Sequence, residues 1–305
     1  MAGLDLQQKV VLVTGAGNGI GAEIAKLAAS RGAKVVVNDL GSSAFGSGAD
    51  SRPAQKVCDE IRAAGGDAVP SFHSIAGWDS AHAIIDDVVT AYGRLDVVVN
   101  NAGILRDVIF HKMTRDDWQS VIDVTLSGYF FVSRAAANLF RQQESGCFIH
   151  MSSTSGLIGN RAQANYGAAK MGVAGLSKCI ALDMERFKVR SNCIAPFAYT
   201  RMTATIPADT EQNKARVASL QKMTAAKIAP FAVALMSDSA ADVTGQVFAV
   251  RNNEIVLFTQ HRPLRTTQTS DGWTPESCIE TALPALRPSM YPLDISSQVF
   301  SWEPF

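Results

Sequence analysis

Short, continuous β-branched runs alternate with amphipathic stretches along most of this 305-residue chain. That alternation constrains the fold more than any other feature. The sequence predicts strands over 10–14, 35–38, 68–71, 97–100, 147–152 and 190–195. Helices are expected over 20–31, 53–64, 80–92, 115–144 and 166–187. The strand runs are apolar throughout instead of alternating with polar residues, as strands covered on both faces are. Strand and helix in strict turn imply an α/β fold, a doubly wound parallel sheet with helices on both sides.

Three segments break the rhythm. Residues 41–50 form a Gly/Ser-rich insertion after the second strand, read as a loop. Residues 202–222 are polar and follow the sixth strand, where such sheets bind ligands; they are expected to act as a lid that sets specificity. Residues 251–305 are rich in Pro, Thr and Ser but carry Trp273 and Trp302, and read as a C-terminal arm packed over the substrate entrance or on a partner. At ~150 residues per domain the length allows two domains, yet α/β domains reach about 250 residues. The expected division is one domain over 1–250 and an extension over 251–305.

Charge excludes other classes. Lys and Arg number 28 and Asp and Glu 28, a net charge of 28 − 28 = 0. Nucleic-acid binders and membrane-surface proteins need a basic excess, so neither partner is expected. With 47% apolar and only 18% charged residues the chain forms a core and tends to associate, as a homodimer or homotetramer. The start, with Asp5 and two glutamines, lacks the profile of a secretory signal. No apolar run approaches the ~18 residues of a membrane span. Five scattered cysteines, without C-x-x-C or histidine spacing, read as reduced thiols of a cytoplasmic protein that binds no metal.

The turn between the first strand and first helix is Thr14-Gly15-Ala16-Gly17-Asn18-Gly19-Ile20-Gly21. Glycines there allow close backbone approach to a pyrophosphate at a helix N-terminus. A glycine cluster alone is a weak signal, but strand, turn and helix occur here in order. Asp39 ends the second strand, 18 residues past Gly21. An acidic residue there accepts hydrogen bonds from both ribose hydroxyls and repels a 2′-phosphate. No Arg or Lys lies between Ala16 and Asn18. The expected cofactor is NAD, not NADP.

Tyr166 and Lys170 are spaced i, i+4 at the start of a helix and share a face. An ammonium beside a phenol favours the phenolate, giving a general acid/base. Ser153, 13 residues earlier and just past the fifth strand, can hold a substrate oxygen while Tyr166 moves its proton. His150 lies inside a strand run and reads as a core histidine. His111 reads as a surface residue or one that approaches substrate. Arg106 either attracts coenzyme A phosphates or pairs with Asp107. Trp118, Phe130 and Phe131 read as packing.

The glycine turn, Asn100-Asn101-Ala102-Gly103 and Ser153…Tyr166…Lys170 together resemble the short-chain dehydrogenase/reductase family over about residues 5 to 250. The resemblance implies that Tyr166 is the acid/base, that Lys170 lowers its pKa and binds the nicotinamide ribose, and that Ser153 orients substrate. It implies pyrophosphate and ribose contacts from Gly15, Asn18, Gly19, Ile20, Asp39 and Leu40. It further implies adenosine-side contacts from Ser74, Ile75, Asn101 and Ala102, and nicotinamide-side contacts from Pro196 and Thr200. Thr125 stands where most of the family carries an asparagine that helps a proton-relay water. His73 replaces an aspartate near the adenine amine, and Phe197 follows Pro196 where glycine is usual, which would narrow the pocket beside the nicotinamide.

A narrower resemblance rests on Val35–Gly41 with its insertion, Asn101–Asp107, Gly159-Asn160, Gln163–Tyr166 and Arg201-Met202-Thr203. These segments are similar to the dehydrogenase parts of peroxisomal multifunctional enzymes of type 2. That likeness implies NAD-dependent oxidation of a (3R)-hydroxyacyl-CoA, although the chain ends Glu303-Pro304-Phe305, which is no peroxisomal signal. The alternatives are an NADPH-dependent 3-oxoacyl thioester reductase, a dehydrogenase of steroid or terpene alcohols, and an NAD sensor without turnover.

Overall fold

The valine runs become the centre of an eight-stranded sheet in a computed structural model that describes residues 6–43, 45–46, 48–198 and 221–304. The strands are β1 (Val10–Thr14), β2 (Lys34–Asn38), β3 (Asp67–Ser71), β4 (Val97–Asn100), β5 (Gly146–Met151), β6 (Val189–Phe197), β7 (Val247–Arg251) and β8 (Glu254–Leu257). They lie in the order β3-β2-β1-β4-β5-β6-β7-β8. Neighbours are parallel through β7, and β8 is antiparallel to it. The winding direction reverses between β1 and β4, opening a crevice at the strands' C-terminal ends.

Helices cover both faces: α1 (Gly19–Ser30), α2 (Arg52–Ala63), α3 (Trp78–Tyr92), α4 (Arg115–Ile122), α5 (Gly128–Gln143), the short α6 (Thr154–Leu157), α7 (Ala164–Asp183) and α8 (Ala229–Met236). Alternate residues of β1 feed two cores. Val11 and Val13 pack with Ile24, Val57 and Val233, whereas Val10 and Leu12 pack with Ile84, Tyr129 and Phe148. Both faces of β1 are therefore dry, which is why its five residues are all apolar or, at Thr14, hydrogen-bonded.

Two expectations need correction. The single helix read over 115–144 is interrupted by a π-helical turn at Asp123–Ser127. Its start was legible, because Thr114 and Asp117 form a reciprocal capping box. The sixth strand is also not the last. β7 and β8 form a hairpin through Asn252-Asn253, with Asn252 in the left-handed region at φ 55°. Asparagine tolerates that conformation, so the Asn-Asn pair was the available signal. β8 escapes detection because it has four residues and leaves Ile255 and Leu257 exposed. The rest of the arm carries short helical turns, among them Ser296–Val299.

Candidate active site

The glycine turn brings backbone against backbone. A Cβ on Gly15, which sits at φ 63°, would lie 2.6 Å from Ala102 Cα; one on Gly17 would lie 2.8 Å from Asp39 Oδ2. Asn101 braces this turn, its Nδ2 donating to the carbonyls of Thr14 and Gly15 at 3.0 Å each. Thr14 Oγ1 in turn accepts from the N–H groups of Asn101 and Ala102. No side chain caps α1, so its first N–H groups stay available to an anion.

Asp39 follows β2 and is oriented by two backbone donors. Gly17 N–H reaches Oδ2 at 2.7 Å and Gly41 N–H reaches Oδ1 at 2.6 Å. Each oxygen keeps a lone pair for a ribose hydroxyl. Gly15, Asn18, Gly19, Ile20, Asp39, Leu40, Ser74, Ile75, Asn101, Ala102, Tyr166, Lys170 and Pro196 all line one cleft of about 360 Å³. His73 lines it too and faces Asp87 at 3.6 Å. The 41–50 insertion is a wall of this cleft: Ser42, Ser43 and Gly46 line it, and Gly46 lies against Ile104. This cradle fits a dinucleotide, with close-approach glycines at one end and a paired carboxylate acceptor beside them. Thr200 and residues 202–220 of the lid expected over 202–222 lie outside the described residues.

Ser153 caps α6, and Tyr166 and Lys170 occupy successive turns at the start of α7. Asn165, fully buried, fixes that start by donating to the carbonyls of Arg106 and Asp117 at 2.9 and 2.8 Å. Lys170 is 3% exposed; its Nζ donates to Met151 O at 2.6 Å and to the Tyr129 hydroxyl at 3.2 Å. The ammonium also lies 4.9 Å from the Tyr129 ring centre and 5.5 Å from that of Tyr166. Burial lowers Lys170 to about 7. Tyr166 is half-buried in the cleft wall, and burial pushes its hydroxyl up to about 12; the Ser153 hydroxyl lowers it and the Asp107 charge raises it. Desolvation is thus the largest influence on the phenol. Thr125 lies in the π-turn, fully buried, and its Oγ1 has no hydrogen-bond partner among the described residues.

Sequence reasoning missed the groups behind Ser153. Its hydroxyl donates to Ser155 Oγ at 3.2 Å, and Ser155 donates to Gln163 Oε1 at 2.8 Å. Gln163 Nε2 then donates to the Asp107 carboxylate at 2.9 Å. A carboxylate only accepts, which fixes the amide orientation and the direction of the whole chain. The Ser-x-Ser…Gln spacing is the only trace of it in the sequence. Arg106 pairs with Asp116 and Asp117, not with Asp107. His150 is fully buried between Asn100 and Ser191, each 3.2 Å away, and burial lowers it to about 3. His111 is exposed. Phe197 turns to Phe300 of the arm, ring centres 4.9 Å apart.

The chain that carries this cleft is similar to known proteins. Residues 9–211 match the family model for short chain dehydrogenases. The chain is 47% identical over 203 residues to a peroxisomal hydratase-dehydrogenase-epimerase of Saccharomyces cerevisiae, covering 67% of this chain and 22% of that protein. It is 48% identical over 201 residues to a peroxisomal multifunctional enzyme type 2 of Drosophila melanogaster, covering 66% of this chain and 33% of that one. A 3-oxoacyl-[acyl-carrier-protein] reductase of Synechocystis is 40% identical over 205 residues, covering 67% of this chain and 80% of the reductase. The chain thus spans between a fifth and a third of the two peroxisomal relatives. A crystal structure of a short chain dehydrogenase from Mycobacterium avium superposes with a TM-score of 0.82 at 36% identity, covering 95% of this chain and 98% of that one. The chain belongs to the short-chain dehydrogenase family and is an oxidoreductase whose Rossmann-like cleft takes a nicotinamide cofactor.

Proposed function

We propose that this protein oxidises a secondary alcohol, the 3-hydroxyl of a (3R)-hydroxyacyl-CoA, with NAD. The single observation that supports the cofactor choice is Asp39, whose two oxygens are oriented by Gly17 and Gly41; an acidic residue at the end of the second strand disfavours a 2′-phosphate. Among the described residues that line the cleft, Lys170 is the one Lys or Arg, and it lies with Tyr166. The substrate class rests on the likeness of Asn101–Asp107 and Gln163–Tyr166 to the peroxisomal dehydrogenase parts.

Tyr166 takes the hydroxyl proton, Ser153 holds the same oxygen, and Lys170 lies where it can steady the cofactor ribose. The bound dinucleotide supplies the hydride acceptor. With (3R)-hydroxybutyryl-CoA or a longer homologue, absorbance at 340 nm rises with NAD and at least about tenfold more slowly with NADP, the one-carboxylate discrimination expected from about 1.4 kcal/mol. Equal turnover with NADP overturns the Asp39 argument. One observation favours the reverse reaction, reduction of a 3-oxoacyl thioester: Tyr166 at about 12 keeps the proton that reduction needs. NADPH oxidation by 3-oxoacyl thioesters, with no NAD reduction by the alcohol, would establish that reading instead.

A further inference from the structure

Ser155 Oγ joins three elements. It accepts from the Ser153 hydroxyl, donates to Gln163, and accepts from Asn160 Nδ2 at 2.9 Å. Asn160 sits in the loop between α6 and α7, whose backbone is unusual. Gly159 has φ 133°, which glycine adopts freely, and Ala162 has φ 62°, a conformation that a residue with a Cβ keeps only where the surroundings hold it. On one side Val108 N–H grips the Ala162 carbonyl at 2.9 Å. On the other the hold comes from the C-terminal arm, where Ser296 N–H and Ser296 Oγ both donate to the Gly159 carbonyl, at 3.1 and 3.2 Å.

The arm is itself anchored. Phe300 is 7% exposed and shares one apolar cluster with Leu157 and Ile158 at the end of α6, its ring lying against those of Phe197 and Phe258. Arg251, at the end of β7, lies 5.8, 5.9 and 5.4 Å from the ring centres of Phe197, Phe300 and Trp302. Its guanidinium donates to the Trp302 carbonyl and pairs with Glu254 at 3.3 Å, and Trp302 Nε1 donates to Glu254 at 2.7 Å. A buried, paired guanidinium stacked among three rings is a costly arrangement unless every contact is kept, so it fixes the arm in one place.

We propose that arm residues 295–302 are a positioning element for Ser153. Ser296 and Phe300 fix the loop at Leu157–Asn160, Asn160 fixes Ser155, and Ser155 fixes the Ser153 hydroxyl. Arg251 locks the arm onto the sheet. The inference rests on the reading of Ser153 as the group that holds the reacting oxygen. It makes the last part of the chain a working part of a site whose reacting groups all lie before residue 171.

The test is a double-mutant cycle on the full chain. Phe300→Ala is expected to lower kcat about tenfold, the scale of a sub-ångström misplacement, with NAD affinity unchanged. In a Ser155→Ala background the same change has little further effect, because the route is already cut. Phe300→Leu restores most of the lost turnover. A merely structural role gives equal factors in both backgrounds, or a lower melting temperature with wild-type kcat, and either result overturns the proposal. Should Phe300→Ala not fold, Ser296→Ala, which leaves the aromatic packing intact, replaces it in the cycle and is judged by the same non-additivity. Wild-type protein inactive toward hydroxyacyl-CoAs, a panel of secondary alcohols and the corresponding ketones would instead sink the reading of Ser153, and this inference with it. An additive cycle in an active enzyme sinks the inference alone.

Discussion

Tyr166 and Lys170 illustrate how burial sets the chemistry of single residues. Both start α7, Lys170 buried and Tyr166 half-buried, and desolvation moves them in opposite directions, the phenol up to about 12 and the ammonium down to about 7. The sign for catalysis follows. Alcohol oxidation needs the phenolate, whose fraction grows as pH rises toward the phenol's pKa, whereas reduction needs the protonated phenol. We therefore expect kcat/KM for oxidation to climb between pH 7 and 9 while that for reduction stays level over the same range, read from initial rates in each direction. Tyr166→Phe should lower kcat by about 10²–10⁴-fold, the usual size of a general-base contribution, while cofactor affinity by calorimetry stays close to wild type. Retention of more than about a tenth of wild-type kcat would contradict that role.

At the scale of elements, the helix expected over 115–144 shows what an interruption does. An α-helix carrying α4 into α5 without a break would present other residues to the sheet, and the π-turn at Asp123–Ser127 instead seats Thr125 in the interior near Gly103. Such single π-turns frequently mark functional sites. Here it buries a hydroxyl that finds no partner among the described residues. An unsatisfied buried hydroxyl costs about 1–3 kcal/mol, and valine has nearly the same shape. Thr125→Val should therefore raise the urea midpoint, by about 1 kcal/mol or more in stability, and lower turnover if the hydroxyl serves a water during catalysis. A loss of stability would show that the hydroxyl is already satisfied in solution.

Across the whole molecule, zero net charge means that no long-range positive field gathers an anionic cofactor. The anion is met locally, by the uncapped start of α1 and by backbone brought close through Gly15 and Gly17. A ligand that binds only the folded state stabilises it by about 2.7 kcal/mol at a hundred times its Kd. For a chain of 305 residues, with an unfolding entropy of about 2.1 cal/mol/K per residue, that is a rise of about 4 °C in melting temperature. NAD at saturating concentration should produce it, and Gly15→Ala, whose Cβ would meet Ala102, should abolish it. An unchanged shift in that variant would remove the glycine turn from the binding site.

The elements legible from residues alone were those whose local pattern and global place agree. β1, β2 and β4 are apolar on both faces because both faces are buried, so their runs mark them directly. Tyr166 and Lys170 share a helix, so their spacing sufficed. Ser153 was found because a strand end fixes where it points. Contacts between elements distant in sequence left almost no trace. Nothing local links Ser296 to Gly159, 137 residues apart, or Asp107 to Gln163, 56 apart. Nothing local could show how far burial raises the phenol's proton affinity. Periodicity and spacing record what each segment buries along its own length. Which polar groups meet across the fold, and in which direction their hydrogen bonds run, depends on the packing of segments that only folding brings together.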